Sequence, residues 1–290
     1  MNTTYIFYNP KAGHGEGRSL AEVLAEKYER AELIDVTVGC DYSAVLSSAS
    51  EGDKIIISGG DGTLNRFLNA VSKLSTVADI YYYPSGTGND FMREIAEREG
   101  ISADSVVNIN KYIKDLPTVE VNGETHCFIN GVGYGIDGYC CEVGDDMRDR
   151  GEKNINYTGI AIKGLLFHYK PRNARITVDG REYNFKKVWL APVMNGKYYG
   201  GGMIPTPDQD RCANGELSLL VFHGSGKLST LMIFPSIFKG EHVKKTKNVT
   251  VLKGREISVE YDSPAPLQID GETVMGVSGY RAHAGSKIKA

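Results

Sequence analysis

Asp61 stands among Gly59, Gly60 and Gly62 in the stretch KIIISGGDGTLN, residues 54–65. Ile55, Ile56 and Ile57 ahead of it form a short apolar run, the pattern of a strand covered on both faces. Leu64, Phe67, Leu68 and Val71 behind it recur at the spacing of a helix's buried stripe. Strand, glycine turn and helix in that order leave backbone N–H groups and the positive end of a helix dipole where the strand ends. That combination binds anions. The glycines admit a ligand closer to the backbone than a Cβ would allow. An aspartate at that spot repels a bare phosphate, so it points to a cation, most simply Mg²⁺ with its waters. An ordinary tight turn with an acidic tip is written in the same letters.

Two further segments repeat the pattern. Residues 80–84 (IYYYP) read as a strand running into SGTGNDFMRE, residues 85–94. There Gly86 and Gly88 flank Thr87, and Asn89 and Asp90 are placed to cap a helix carrying Phe91 and Ile95. Near the start, residues 5–8 read as a strand, followed by NPKAGHGEG and a helix stripe of Leu20, Val23, Leu24 and Tyr28. Glycine-rich turns after successive parallel strands gather at one sheet edge, where ligands of open sheets bind. A different kind of site lies late in the chain. LQIDGE, residues 267–272, ends a strand in a tight turn and presents Asp270 and Glu272. Phosphoryl transfer to an alcohol needs an acceptor for the hydroxyl proton, usually a carboxylate. Solvated acids of a plain hairpin would look alike.

The elements that position these residues fall into two halves. Strands and helices alternate up to about residue 116, the pattern of a parallel sheet, with a second strand at residues 33–36 followed by Thr37. After Pro117 short β-like runs take over, at 118–121, 127–130, 175–178, 187–193, 217–222, 249–252 and 257–261. Turn signals separate them, among them Asn122-Gly123 and Asp179-Gly180. The expected domains are therefore 1–117, holding the glycine turns, and 118–290, mostly antiparallel and carrying Glu272.

NPKAG (9–13), GGDGTLN (59–65) and SGTGNDF (85–91), in that order and spacing, resemble the signature set of the diacylglycerol kinase and sphingosine kinase catalytic-domain family, its bacterial lipid kinases above all. The similarity continues through GGGM, FKGEHVKK and QIDGE. GGDG alone is shared with NAD kinases and phosphofructokinases. The resemblance implies an NAD kinase-like α/β domain with a mainly parallel sheet, joined to a mostly antiparallel β-sandwich. It implies ATP bound by Asn9, Pro10, Lys11, Ala12, Gly13, Thr37, Gly59, Gly60, Asp61, Gly62, Thr63, Leu64, Asn65, Gly86, Thr87, Gly88, Asn89 and Asp90. Asp61 would hold Mg²⁺ and share the catalysis with Glu272, which matches the family's proton acceptor. The implied reaction phosphorylates a primary hydroxyl of a diacylglycerol-like or sphingoid lipid, with the active site in the cleft between the domains. For Thr37 a turn-capping role reads equally well. Arg66 stands where bacterial relatives often have glutamate, and can pair a phosphate or face water. In PDQDRCANGELS, residues 207–218, Ala213 and Asn214 replace the adjacent acids with which some relatives hold a second Mg²⁺. Asp208, Asp210 and Glu216 remain, too little charge to assign that ion.

Composition narrows the classes. Of 290 residues, 41% are hydrophobic and 24% charged, enough for two modest domains with real cores. A net charge of −3 gives no general pull toward nucleic acid. Five cysteines without a CxxC pair read as reduced thiols, so a cytoplasmic setting is expected. The chain opens on a strand rather than a leader, and no apolar run approaches the roughly 20 residues of a membrane span. A lipid kinase of this kind is expected to visit the membrane surface transiently from the water side, and the sequence is compatible with a homodimer. GYGIDG, residues 133–138, fits G-x-G-x-x-G by letter. It follows a strand of the β-rich half, and the polar stretch 144–156 comes where a dinucleotide unit needs its helix and second strand. The six histidines show no zinc spacing, and Trp189 reads as core. Lys239, His242, Lys244, Lys245 and Lys247 form either a solvated face or a membrane contact. Residues 160–169 (IAIKGLLFHY) either line a lipid entrance or pack on the sandwich. An NAD kinase and a non-catalytic nucleotide- or lipid-binding homologue are the alternative functions.

Overall fold

Ile55, Ile56 and Ile57 are fully buried, and around them the first of two units is built. The computed structural model describes residues 2–285 apart from positions 73, 75, 87, 153, 154 and 214, and omits the side chain at 158. Thr87 and Asn214 thus lie outside the described residues. The units are Met1–Lys114 and Asp115–Ala290.

The first unit runs β1 (Thr4–Tyr8), α1 (Gly17–Ala25), β2 (Ala31–Asp35), α2 (Tyr42–Ser48), β3 (Lys54–Gly59), α3 (Asp61–Val71), β4 (Asp79–Pro84), α4 (Asp90–Glu99), β5 (Val107–Asn108) and α5 (Asn110–Ile113). The sheet order is β2-β1-β3-β4-β5, parallel except for β5 against β4. Tyr8 pairs with Ser58, and Gly59 with Pro84, so β1, β3 and β4 end level with one another. That register lays their three following turns side by side. Leu64, Phe67, Leu68 and Val71 are all buried, as their spacing predicts.

The stripe read for α1 needs correcting. Gly17, Ala21 and Leu24 form the buried face, Val23 is 57% exposed, and Tyr28 lies past the helix end. The small residues let the helix sit close to β1, where a Cβ at Gly17 would fall on the Asn9 carbonyl. The apolar letters at 20 and 23 therefore misplace the face.

The second unit is antiparallel throughout: β6 (Thr118–Val121), β7 (Glu124–Cys127), β8 (Gly131–Tyr134), β9 (Arg172–Val178), β10 (Arg181–Val188), β11 (Val193–Met194), β12 (Leu217–Phe222), β13 (Val249–Gly254), β14 (Glu256–Ile269) and β15 (Glu272–His283). β14 pairs with β9 over its first half and with β8 over its second, shifting register between Glu260 and Leu267. One long bent strand thereby serves both layers of the sandwich. Helices α6 (Ile136–Asp149), α7 (Tyr157–Lys163) and α8 (Lys227–Ile233) accompany the sheet, and α7 continues into a π-helical turn, Gly164–His168. Tight turns at Asn122-Gly123 and Asp179-Gly180 have positive φ at both residues, as the sequence predicts.

Four expectations for this half change. Residues 128–130 are a turn rather than the continuation of a strand, because the N–H groups of Ile129 and Asn130 go to a side chain, that of Asp270. The run at 187–193 is broken: β10 passes through a register shift with a positive φ at Lys187 and stops at Val188, and β11 starts only at Val193. A helix, α6, occupies 136–149, and the polar letters 145–149 form its last turn. His242 is buried and accepts no place in a basic face. Its ring shares a hydrogen bond with the Pro205 carbonyl at 2.8 Å, and burial pushes its pKa down.

Candidate functional site

Two close backbone approaches and two side-chain hydrogen bonds draw the turns of the first unit together. A Cβ on Gly86 would collide with the Gly60 backbone, and one on Gly13 would sit 2.7 Å from the Ser85 carbonyl. Asn9 Nδ2 donates to Thr63 Oγ1 at 3.2 Å, and the Ser58 and Ser85 hydroxyls lie 3.1 Å apart. All three turns therefore form one wall at the sheet edge, held by glycine where chains meet most closely.

Asp61 opens α3 and is buried. Its Oδ2 accepts the Asp90 N–H at 2.8 Å, so it secures the first turn of the neighbouring helix α4 as well. The capping expected of Asn89 is not made: its amide donates instead to the Gly86 carbonyl. The Asn89 side chain is turned back toward its own loop, with its Oδ1 3.4 Å from the Tyr82 hydroxyl. Asp90 is buried beside it, and Tyr82 lies beneath both. The Tyr82 hydroxyl donates to the Gly59 carbonyl at 3.0 Å. Burial first, then the Asp61 and Asp90 charges, hold it well above the ordinary tyrosine range. Two carboxylates on adjacent helix N-termini, beside glycine turns, are a donor set that suits Mg²⁺, which takes one or two carboxylates and fills its shell with water and phosphate oxygens.

Other predicted residues fall in differing places. Lys11 is exposed, with its N–H tied to Asn9 Oδ1. Thr37 donates both its N–H and its hydroxyl to Asp35 Oδ1, the turn-capping arrangement. The Leu64 side chain is in the core and its N–H goes to the Gly60 carbonyl. Asn65 is buried, and its Oδ1 accepts from Asn69. Arg66 is exposed on α3.

Gly88 differs from its neighbours: a Cβ there meets nothing within 4 Å, whereas one on Gly86 strikes the adjacent turn. Packing among the described residues does not call for glycine at 88, so a variant there separates ligand approach from folding. Gly88→Val is expected to keep the wild-type melting temperature while ATP binding in calorimetry falls at least about tenfold, a cost of about 1.4 kcal/mol. Gly86→Val is expected to lower both. Normal ATP binding by the Gly88 variant would contradict a phosphate-lining turn.

In the second unit the β14–β15 hairpin turns through Asp270 and Gly271, both at positive φ. The Asp270 carboxylate accepts three backbone N–H groups, from Ile129 at 2.5 Å, Asn130 at 2.8 Å and Gly131 at 2.9 Å. It is the clamp that shapes that loop. Glu272 follows as the first residue of β15, half-buried. Facing the hairpin is a stripe of α6 at helical spacing: Asp137, Cys141 and Asp145. Thr273 donates to Asp145 at 2.6 Å. Burial, with Asp137, Asp145 and Glu272 adding to it, pushes the Cys141 thiol up to about 12.

Asp137 was not singled out by sequence reasoning. It sits inside GYGIDG, whose letters suggested a nucleotide turn. Here those glycines serve packing: a Cβ on Gly133 would fall on the Asp137 carboxylate, and one on Gly138 on the Pro266 carbonyl. Burial pushes the Asp137 carboxyl up to about 7, against smaller opposing help from the Gly138 N–H and the Tyr199 hydroxyl. A raised folded pKa means that the native state holds a proton the unfolded chain has lost. Stability is then fullest below the unfolded pKa near ~4 and is lost as pH rises to about 7. Relative to Asp137→Asn, the wild type should lose up to roughly 4 kcal/mol over that window. Denaturant titrations across the window check this; a pH-independent gap between the two proteins would contradict it.

With this geometry in place, comparison with known proteins is informative. Residues 3–120 match the family model described as the diacylglycerol kinase catalytic domain, and residues 130–283 match that of the YegS C-terminal NAD kinase beta sandwich-like domain. A diacylglycerol kinase of Mycobacterium tuberculosis is 27% identical over 262 residues, covering 87% of this chain and 83% of that one. A diacylglycerol kinase of Bacillus subtilis is 27% identical over 284 residues, covering 94% and 90%. The crystal structure of a diacylglycerol kinase from Bacillus anthracis superposes with a TM-score of 0.61 at 20% identity, covering 99% of this chain and 95% of that one, a likeness of fold.

Proposed function

Because the chain belongs to the bacterial lipid-kinase family that joins a diacylglycerol kinase catalytic domain to a YegS-type β-sandwich, we propose that it transfers the terminal phosphoryl group of ATP to a primary hydroxyl of a diacylglycerol-like or sphingoid lipid. The observation that carries this reading is the wall of three touching glycine turns with the buried Asp61 at its centre.

In the proposed reaction the turns after β1, β3 and β4 receive the ATP phosphates, with the backbone N–H groups at the start of α3 facing the anionic oxygens. Asp61, with Asp90 beside it, would hold Mg²⁺. The ion, when bound, neutralises charge on the phosphates. Glu272 accepts the proton of the lipid hydroxyl as its oxygen bonds to the terminal phosphorus. The bond from that phosphorus to the bridging oxygen breaks, and ADP leaves. Transfer requires the nucleotide turns and Glu272 to act on the same pair of reactants during turnover. Asp270 is assigned no chemistry, since its carboxylate is committed to the 129–131 loop.

The enzyme is proposed to act in the cytoplasm and to take its lipid from a membrane surface. Among the described residues no helix is long and apolar enough to cross a membrane. Terminally labelled ATP offered with diacylglycerols, sphingoid bases and NAD tests the substrate class. Label in a lipid phosphate ester supports the reading; label on NAD, or on nothing while ATP binds, overturns it.

A further inference from the structure

Glu272 ends a row of paired residues that runs across the sheet of the second unit. It pairs with Ile269, Ile269 with Val132, and Val132 with Val193. Two segments lead out of that row, residues 129–131 before β8 and residues 195–196 after β11, so whatever fixes them also fixes where Glu272 stands. Asp270 holds the first segment from one side, through the N–H groups of Ile129, Asn130 and Gly131. Arg211 holds it from the other. Its Nη1 donates to the Ile129 carbonyl at 3.1 Å, and its Nη2 donates to Asn130 Oδ1 at 3.0 Å. The peptide unit joining Ile129 to Asn130 is thereby gripped at both ends, its N–H by a carboxylate and its carbonyl by a guanidinium. Charge-assisted bonds arranged in this way strengthen one another.

The loop that carries Arg211 is fixed in its turn. Gln209 is buried, and its Nε2 donates to the carbonyls of Asn195 and Glu216, each at 3.1 Å. Its Oε1 accepts the Ser218 hydroxyl. Asn195 closes the ring, because its Nδ2 donates to the Ile129 carbonyl at 2.8 Å and its N–H to the Asn130 carbonyl. A second Mg²⁺ does not fit this loop. Asp208 and Glu216 are exposed, Asp210 Oδ1 accepts the Cys212 N–H at 2.9 Å, and both Asp270 oxygens are committed to N–H groups. Among the described residues, no three His, Cys, Asp or Glu side chains come together as an ion would need. Arg211 supplies positive charge there instead, with donors in a rigid fork that reaches two acceptors at once. We propose that the Arg211 guanidinium, rather than a second divalent ion, ties its loop to residues 129–130 and so positions Glu272 for proton transfer.

The tie stands on these hydrogen bonds; only its consequence for Glu272 rests on the lipid-kinase reading. Arg211→Met should lower kcat about 10- to 100-fold with the KM for ATP unchanged, since slight misplacement of a reacting group costs that much. In a Glu272→Gln background the same substitution should cost less than about threefold, because no base remains to be aimed. Arg211→Lys keeps the charge but cannot span both acceptors, so its kcat should fall between the two, and it carries the same cycle if Arg211→Met fails to fold. Hydrogen exchange reads the tie without activity. The Asn130 and Gly131 amides should exchange at least about tenfold faster in the Arg211 variant, while a chelator should leave wild-type exchange unchanged. Full-speed turnover by the variant, an undiminished further loss in the Glu272→Gln background, or loosening of the wild type by chelator would overturn the proposal. A wild type that transfers no phosphoryl group would remove the kinase reading; faster exchange in the variant would still uphold the tie, and unchanged exchange would overturn it.

Discussion

Glu272→Gln is expected to lower kcat by about 10²–10⁴-fold, the usual worth of general-base help to a weak nucleophile. An alcohol must lose its proton as its oxygen attacks, and glutamine keeps the shape of Glu272 but cannot take a proton. The ATP dissociation constant should hardly move, because the residues proposed to contact nucleotide belong to the other unit. The melting temperature should stay in place too, since Glu272 is only half-buried at the start of β15. Asp270→Asn provides the contrast two residues away. The carboxylate there accepts three backbone N–H groups, and an amide turns a donor toward one of them. Its cost should appear as about 1–3 kcal/mol of stability for the hydrogen bond lost. Loss of kcat in the first variant with loss of stability in the second separates chemistry from scaffold. Full-speed Glu272→Gln would move the base to another acid.

Asp61→Asn is the second large effect. The asparagine Oδ1 can still accept the Asp90 N–H, so α4 keeps its anchor and the fold should survive. What disappears is the negative charge proposed to hold Mg²⁺, and several kcal/mol of transition-state stabilisation go with it, on the order of 10³-fold in rate. Raising Mg²⁺ should recover part of the loss, and a chelator should abolish wild-type activity. Equal rates for wild type and variant at limiting Mg²⁺ would remove Asp61 from the metal.

The first unit was legible where periodicity and burial agree. Leu64, Phe67, Leu68 and Val71 mark α3 because they pack against a strand covered on both sides. The face of α1 was misread because Gly17 and Ala21, the residues that allow close approach, carry little hydrophobic signal. The glycine turns and their gathering at one sheet edge could be found from their letters, but which of their residues touch could not, since that depends on strand register. The structural side of Asp61 was hidden for the same reason: its partner, the Asp90 N–H, is 29 residues away. In the second unit, the strand expected at 127–130 failed because a side chain from the distant β14–β15 hairpin claims those N–H groups. Asp137 was masked by a motif whose glycines serve packing, and a buried carboxylate leaves no local signature in sequence.

A single-turnover experiment with terminally labelled ATP and a dispersed diacylglycerol, run on wild type and Glu272→Gln in parallel, tests the central claim most directly. The account predicts label in the lipid phase at a rate about 10²–10⁴-fold lower for the variant, with equal ATP affinity. No transfer to any diacylglycerol or sphingoid lipid by a wild type that binds ATP, or equal rates for the two proteins, would contradict it.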